Sequence, residues 1–422
     1  MNINAPATVD PADVSPLEQF FRREKLRYQS FELAGGQSTD GHDRSYLNEL
    51  AFAGGVEGQS LLDIGCSLGY FCIQALRRNA ASATGIDPDT TSIRQAREIA
   101  RLSGLAPEYV CGDFEEWDVQ GRSFDTVLCL NVLHHLYDPV GAIRKMIKIA
   151  KRRIVIEFAR PTAWDLLKRS GNPLLAAASA APLIILGDPS KTHAMSRSFL
   201  FTGKAMEVLF NGHTELFEPL ILQPSPFKGR QVAVANRRRI RHLLVVAGPT
   251  SSGKSTLIDR LPVDAALRSA MGLGDTNWVI PADRHAPLPK GPIDGLVLHY
   301  DLLRPHRRSM KTYSRDPRCD FLEVADNITV VTQMSPPEVL RRRLVASRKK
   351  APWRSTRLSA RHRELHERYG EPEFLQGWYE RWFDFCDRFA DRISDNLLLI
   401  SDEDRSRIAP AKEWREEYAR IG

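Results

Sequence analysis

Two stretches constrain this chain more than any others. Leu61-Leu62-Asp63-Ile64-Gly65-Cys66-Ser67-Leu68-Gly69-Tyr70-Phe71 and His242-Leu243-Leu244-Val245-Val246-Ala247-Gly248-Pro249-Thr250-Ser251-Ser252-Gly253-Lys254-Ser255-Thr256 share one plan. An apolar run of strand length enters a glycine-containing turn, and a helical pattern begins directly behind it. Small residues in such a turn let a ligand approach the backbone closely, and the first N–H groups of the following helix are left free to donate. A chain of 422 residues with two such units is expected to fold as two α/β domains.

The rest of the chain fits that division. Residues 1–44 form an N-terminal segment, polar and Pro/Ala-rich at first, helical in pattern over Pro16–Tyr28, then turn-rich. Apolar runs at Leu61–Ile64, Ala83–Ile86, Tyr109–Cys111, Thr126–Leu130, Arg153–Phe158, Phe217–Leu222 and Gln231–Ala235 alternate with helical stretches. That alternation predicts a mainly parallel sheet. The basic run Asn236–Arg241 is expected as a solvated linker where the pattern restarts. Five more strands are expected at Leu243–Ala247, Trp278–Pro281, Gly295–Tyr300, Ile328–Met334 and Leu397–Ile400. The boundary falls near residue 238, giving domains 45–238 and 239–422.

In the first unit Asp87 ends the second apolar run, 24 positions after Asp63. A carboxylate there can accept both hydroxyls of an adenosine ribose. The turn is G-x-x-x-G preceded by an aspartate, not the G-x-G-x-x-G of nicotinamide dinucleotide sites, which favours S-adenosylmethionine (SAM). Cys111-Gly112-Asp113-Phe114 follows the third run, and Phe124–Pro139, with Asn131 and His134-His135, holds the fourth. With these motifs in this order, residues 45–236 resemble the class I SAM-dependent methyltransferases. The resemblance implies a Rossmann-like, doubly wound domain. It implies Asp63, Gly65, Cys66, Ser67 and Gly69 around the methionine part of the cofactor, Asp87 on the ribose, Asp113 near the adenine amine, Phe114 against the adenine ring and Asn131 below the sulfonium. Ser67 stands where the family usually has its middle glycine.

His134 is a candidate general base, or else a strand cap packed on the cofactor loop, since methyl transfer needs chiefly in-line positioning. The long insert over residues 160–215 is expected to cover the substrate. Tyr28-Gln29-Ser30-Phe31-Glu32 with Gly35-Gly36 and Gly41, His134-His135 with Asp138-Pro139, and Ser225–Arg230 are similar to the branch containing the tRNA wobble-uridine carboxymethyltransferases. Those use a carboxylated SAM; plain SAM is the default here.

The second unit carries G-x-x-x-x-G-K-S between a strand and a helix, a phosphate loop. N–H groups from Thr250 to Lys254 are expected to cradle phosphates. Lys254 would reach the β- and γ-phosphates and Ser255 would bind Mg²⁺, with Gly248, Thr250, Ser251, Ser252, Gly253 and Thr256 completing the loop. Residues 240–401 resemble the small-molecule and nucleoside kinases of the P-loop NTPase fold. That resemblance implies ATP and Mg²⁺, with one strand-end carboxylate as base and another in the metal shell: Asp283 and Asp301, or the reverse. Arg343 and Arg348 match the arginine-bearing lid, where they would stabilise the transferring phosphoryl group, or they belong to a solvated basic helix. Trp378–Phe385 reads as an amphipathic helix packed on this unit.

A net charge of +7 suits an anionic partner or none. The six cysteines form no C-x-x-C pair, so neither a zinc knuckle nor a dithiol redox site is indicated. Residues 1–16 lack the basic and apolar regions of a signal peptide. The most lipid-like stretch, Leu174–Leu186, is interrupted by Pro182; a membrane span needs about 20 apolar residues. The expectation is a cytoplasmic bifunctional enzyme, methyltransferase and kinase, acting on one acceptor that is either RNA or a nucleotide, or a glycan. Two other readings are a methyltransferase regulated by a nucleotide-binding domain, and a binding module with a SAM site degraded at Ser67.

Overall fold

The computed structural model describes residues 15–32, 38–161, 180–186, 199–211, 217–274, 276–281, 288–289, 291–302, 322, 324–350, 356–401 and 406–421. For residues 347–350, 356–359, 361, 362 and 372 it describes the backbone alone. The chain divides into two compact units, Met1–Gly212 with Pro219–Arg237, and His213–Glu218 with Arg238–Gly422.

The first unit is built on strands β1 (Ser60–Ile64), β2 (Ser82–Asp87), β3 (Glu108–Cys111), β4 (Phe124–Leu130), β5 (Ala150–Ala159), β8 (Ile221–Pro224) and β9 (Arg230–Asn236). Among the described residues they form a seven-stranded sheet in the order β3-β2-β1-β4-β5-β9-β8. β1 to β5 run parallel, whereas β9 is antiparallel to both β5 and β8. Leu61, Leu62 and Ile64 are all buried, as expected of a parallel strand covered on both faces. The chain moves outward from β1 to β3, then returns to β4 on the other side of β1. That reversal opens a crevice at the carboxyl ends of β1 and β4.

Helices α1 (Pro16–Glu24), α2 (Asn48–Phe52), α3 (Tyr70–Arg77), α4 (Thr90–Leu102), α5 (Pro139–Ile149) and α6 (Gly203–Asn211) surround this sheet. α4 starts where Asp89 accepts from Ser92 N at 2.9 Å, and α5 where Asp138 accepts from Gly141 N at 2.8 Å behind Pro139. Both are side-chain caps of orphan helix donors. α1 stops at Glu24 rather than at Tyr28, because Lys25 turns left-handed (φ 54°) and its N–H closes on Phe21 O. Phe21 packs on Phe31 (centroids 5.4 Å apart) and Phe31 on Tyr70 (5.6 Å), which ties the N-terminal segment to α3. The sixth strand is shifted from its expected place, Phe217–Leu222, to Ile221–Pro224. Pro219 has no N–H to give a ladder, and pairing begins at Ile221↔Val234. Within the insert, β6 (Ile184–Leu186) and β7 (Phe199–Phe201) form a separate antiparallel hairpin; most of the remaining insert lies outside the described residues.

The second unit holds β10 (Ile240–Gly248), β11 (Trp278–Val279), β12 (Ile293–Asp301), β13 (Ala325–Met334), β14 (Asp395–Ser401) and β15 (Ser406–Pro410). Their order is β11-β12-β10-β13-β14-β15, parallel except for β15. The described residues thus contain six strands in place of the five expected. β15 was hidden because an edge strand buried only around Ala409 carries no apolar run. Its helices are α7 (Lys254–Arg260), α8 (Ala265–Ala270), α9 (Pro337–Lys350), α10 (Thr356–Arg368), α11 (Pro372–Arg388) and α12 (Trp414–Ile421). α11 buries Trp378, Tyr379, Trp382 and Phe383 as the periodicity predicted. Trp382 Nε1 donates to Thr332 Oγ1 at 2.7 Å and Tyr379 donates to Gln333 O at 3.3 Å, whereas Trp378 Nε1 is buried without a partner among the described residues.

The basic run between the sheets is not a solvated linker. Arg237 and Arg238 are only 9% and 4% exposed. Arg237 donates to the carbonyls of Ile147 and Ala150, and Arg238 to that of Pro289. A buried guanidinium is tolerated when carbonyls take its protons. No helix among the described residues is long and apolar enough to cross a membrane.

Candidate cofactor sites

The loop between β1 and α3 is made by three left-handed residues, Gly65 (φ 70°), Ser67 (φ 49°) and Gly69 (φ 81°). Gly65 N donates to Ile86 O at 2.8 Å and Gly69 N to Cys66 O at 2.8 Å, which curls the loop over the end of β2. Two glycines are sterically required. A Cβ on Gly65 would lie 2.3 Å from Val132 Cγ2, and one on Gly69 only 1.9 Å from the Tyr109 hydroxyl oxygen. Ser67 takes the strained conformation that glycine would take freely, and its N–H donates to Asp87 Oδ2 at 2.9 Å. Asp87 Oδ1 accepts from Asp89 N at 2.9 Å. A carboxylate has about four acceptor sites, so ribose hydroxyls can still be received.

Asp63, on β1 directly before the loop, is 2% exposed, and its Oδ2 has no hydrogen-bond partner among the described residues. Burial, helped by the nearby Asp87, pushes its carboxyl up to about 8. The same cavity is lined by Tyr28, Gln29, Arg44 and Gly65. Arg44 is 8% exposed and its Nε is buried without a partner among the described residues; its guanidinium lies over the rings of Tyr28 (5.3 Å) and Phe227 (5.8 Å). A buried cation and a buried acid thus line one small cavity of about 20 Å³, the room of about one water molecule. The motif spacing did not single out Arg44: it sits outside the glycine loop, in a turn-rich stretch without periodicity.

The other expected residues fall as follows. Asp113 is exposed and accepts from Glu115 N at 2.7 Å. Phe114 is buried, with the Lys145 ammonium 4.7 Å over its ring. Cys66 is buried and its thiol is pushed far up by desolvation. Asn131 is left-handed (φ 65°), with Oδ1 buried and unpartnered among the described residues. His134 stacks on His135 (centroids 3.9 Å), and burial lowers it to about 4, so its imidazole is neutral at physiological pH.

The second loop, between β10 and α7, has left-handed Ser251 (φ 70°) and Gly253 (φ 101°). Lys254 is 3% exposed; its Nζ donates to Gly248 O (3.0 Å) and Pro249 O (2.8 Å) and pairs with Asp301 Oδ1 (2.9 Å). Thr250, Ser251, Ser252, Gly253, Ser255, Thr256, Asp301 and Arg343 line one cleft of about 1180 Å³. Arg343 Nη1 donates to Ser252 O at 3.1 Å, and the Tyr369 hydroxyl to Thr250 O at 3.0 Å. These two side chains, from α9 and directly after α10, hold two of the loop's carbonyls. Tyr369→Phe is therefore expected to weaken nucleotide binding about fivefold to tenfold, the worth of one buried hydrogen bond. Titration with a fluorescent ATP analogue, alongside thermal unfolding, checks this. Asp283 lies outside the described residues, and only the backbone of Arg348, in α9, is described. Among the described residues no group of three or more His, Cys, Asp or Glu side chains is placed to hold a metal ion.

A seven-stranded sheet of this order, with a glycine loop after β1 and an acid ending β2, defines the first unit as a class I SAM-dependent methyltransferase domain. Residues 61–153 match the family profile described as a methyltransferase domain. The ubiquinone biosynthesis O-methyltransferase of Escherichia coli O157:H7 (strain EC4115 / EHEC) is 29% identical over 154 residues, 36% of this chain and 60% of that protein. Its counterpart from Escherichia coli O7:K1 (strain IAI39 / ExPEC) is 30% identical over 146 residues, 34% and 58% respectively. The chain thus spans about three fifths of the length of these curated relatives. Among solved structures, the magnesium protoporphyrin IX methyltransferase of Synechocystis PCC 6803 with bound SAH aligns over 46% of this chain and 80% of its own, at 20% identity and a TM-score of 0.34.

Proposed function

We propose that the chain is a cytoplasmic bifunctional enzyme: a SAM-dependent methyltransferase over 45–238 joined to an ATP-dependent P-loop kinase over 239–422, serving one acceptor or pathway. The observation that carries the first half is the cavity joining Asp63, Gly65 and Arg44 beside Asp87. SAM, when bound, supplies a methyl group on a sulfonium. Arg44 holds its carboxylate, Asp63 and the loop receive its ammonium, and Asp87 receives its ribose. An acceptor hydroxyl or amine would attack the methyl carbon in line as the carbon–sulfur bond breaks; S-adenosylhomocysteine would leave, the acceptor proton would pass to solvent, and positioning supplies most of the rate.

This arrangement has a pH signature. Asp63 is neutral below about 8 in the free protein, and a cationic ammonium beside it favours the carboxylate. Binding of S-adenosylhomocysteine (SAH) at pH 7 is expected to release a proton, and its affinity to rise between pH 6 and about 8. Because the folded pKa lies above the unfolded one, the contribution of Asp63 to the stability of the free protein is full below the unfolded value and is lost as pH rises towards 8; SAH restores it. Isothermal titration in buffers of different ionisation enthalpy tests this. Buffer-independent heats, or an unaltered pH profile in Asp63→Asn, would count against Asp63 at the ammonium.

For the second half, the carrying observation is the phosphate loop with Lys254 and Ser255 facing a cleft large enough for a nucleotide and an acceptor. Mg²⁺ would rest on Ser255 and phosphate oxygens, with Asp301 adjoining. One alternative has support. Asp301 is engaged by Lys254 and Arg343 by Ser252 O, which suits a nucleotide-binding regulator that transfers no phosphate. ADP formation that rises when an acceptor is added favours the kinase; tight ATP binding without it favours the regulator.

A further inference from the structure

Among the buried side-chain atoms without a hydrogen-bond partner in the described residues are Tyr46 Oη, Asn131 Oδ1, His134 Nδ1 and Glu157 Oε2. They gather about the Arg230 guanidinium, with the Arg44 guanidinium beside Tyr46 and Phe227. Arg230 Nη1 is 3.5 Å from Glu157 Oε2. Arg230 and Glu157 both act on the Tyr46 phenol, and Arg230 acts on His134. Asn131 is anchored to the same place, its N–H donating to Glu157 O at 3.2 Å. Phe227 forms a wall, 5.1 Å from the Tyr46 ring and 5.1 Å from Arg230 Cζ. Glu157 is 0% exposed and is set in place by the Ser225 hydroxyl, which donates to its Oε1 at 2.6 Å.

Native proteins rarely leave buried polar atoms unpaired, and four together mark a place where a ligand completes the bonding. The kind of atom says what kind of ligand. An amide oxygen and a carboxylate oxygen are acceptors; the neutral imidazole nitrogen and the phenol can accept as well. The ligand must therefore bring O–H or N–H donors. Charge narrows the choice further. Glu157 and Arg230 offset one another, and Arg44 serves the cofactor carboxylate in the reading above. Among the described residues, a phosphate or carboxylate entering here would find no cation beyond these two and would face a buried carboxylate.

We propose that these residues are the methyl-acceptor subsite, and that it takes an uncharged compound bearing at least two hydroxyl groups, not a nucleotide, a nucleic acid or a carboxylic acid. The proposal rests on the methyltransferase reading of the same unit, and its test separates the two. The full-length protein is incubated with methyl-labelled SAM and an ATP-depleted cell extract. Unreacted SAM is removed on a cation exchanger, and the products are divided on an anion exchanger. The expected result is label in the unretained, uncharged fraction. Label retained with nucleic acid or other anions overturns the proposal, as does a complete lack of label from protein that binds SAH. Protein that does not bind SAH overturns the methyltransferase reading itself. Glu157→Gln should cut label transfer about tenfold or more while SAH affinity holds within about twofold. Ser225→Ala, which keeps the carboxylate but unpins it, should cut transfer by about threefold. Full transfer by both variants overturns the proposal.

Discussion

Gly69→Ala is expected to abolish measurable SAH binding and to lower the stability of the first unit by about 2–4 kcal/mol. Two costs combine. The residue is left-handed (φ 81°), which any side chain resists, and the new Cβ would lie 1.9 Å from the Tyr109 hydroxyl oxygen and 2.6 Å from its Cζ. Tyr109 has no easy retreat: it is 6% exposed on β3, and its hydroxyl donates to Gly69 O at 3.4 Å. The loop must open, and opening moves Gly65 and Asp87 apart. Gly112→Ala is the control. It has no protein contact within 4 Å and no positive φ, so it should leave the melting temperature unchanged. Isothermal titration with SAH and thermal unfolding read both effects. If Gly69→Ala binds SAH normally, the curled loop is not what recognises the cofactor.

Lys254→Ala is expected to weaken ATP binding by at least about a hundredfold and to stop any ADP formation, while SAH binding in the first unit is untouched. The ammonium is buried, and burial lowers its pKa against the pull of Asp301. Two loop carbonyls and Asp301 hold it in place. Truncation removes the cation that phosphates would share and leaves a hole beneath the loop. Lys254→Arg should not rescue binding. A 3% exposed site has no room for a planar fork, and arginine cannot present a compact point charge. Titration with a fluorescent ATP analogue and an ADP assay measure both. Unchanged ATP affinity in Lys254→Ala would place the nucleotide elsewhere in the cleft.

The glycine loops were legible in the sequence because they are local. A strand, a few small residues and a helix start determine a turn whose purpose is written in its spacing, and Asp63, Gly65, Gly69 and Lys254 all lie on such segments. The buried apolar runs of β1, β4, β10 and β13 were equally plain, since a strand covered on both faces must be apolar throughout. The aromatic stripe of α11 announced its packing for a similar reason. Of the edge strands, β3 and β11 lie where they were expected, whereas β15 was missed and β8 was expected a few residues early. β15 and β8 depend on a neighbouring strand to supply hydrogen bonds, and their own composition carries little of that information.

Charged residues were the hardest to interpret, because their role is determined by what surrounds them. The run through Arg237 and Arg238 has the composition of a solvated linker, yet carbonyls of Ile147, Ala150 and Pro289 accept its protons. Arg44 sits in an unpatterned turn until the fold brings it beside Asp63. Glu157 and Arg230 are distant in the chain, and they meet because β5 and β9 pair antiparallel with Glu157 opposite Val232. Local spacing determined the two ligand loops and the strands that carry them. Only the tertiary structure decided which polar side chains are buried, which are paired and which are left waiting for a ligand, because burial and long-range pairing are properties of the packed sheet and of no segment alone.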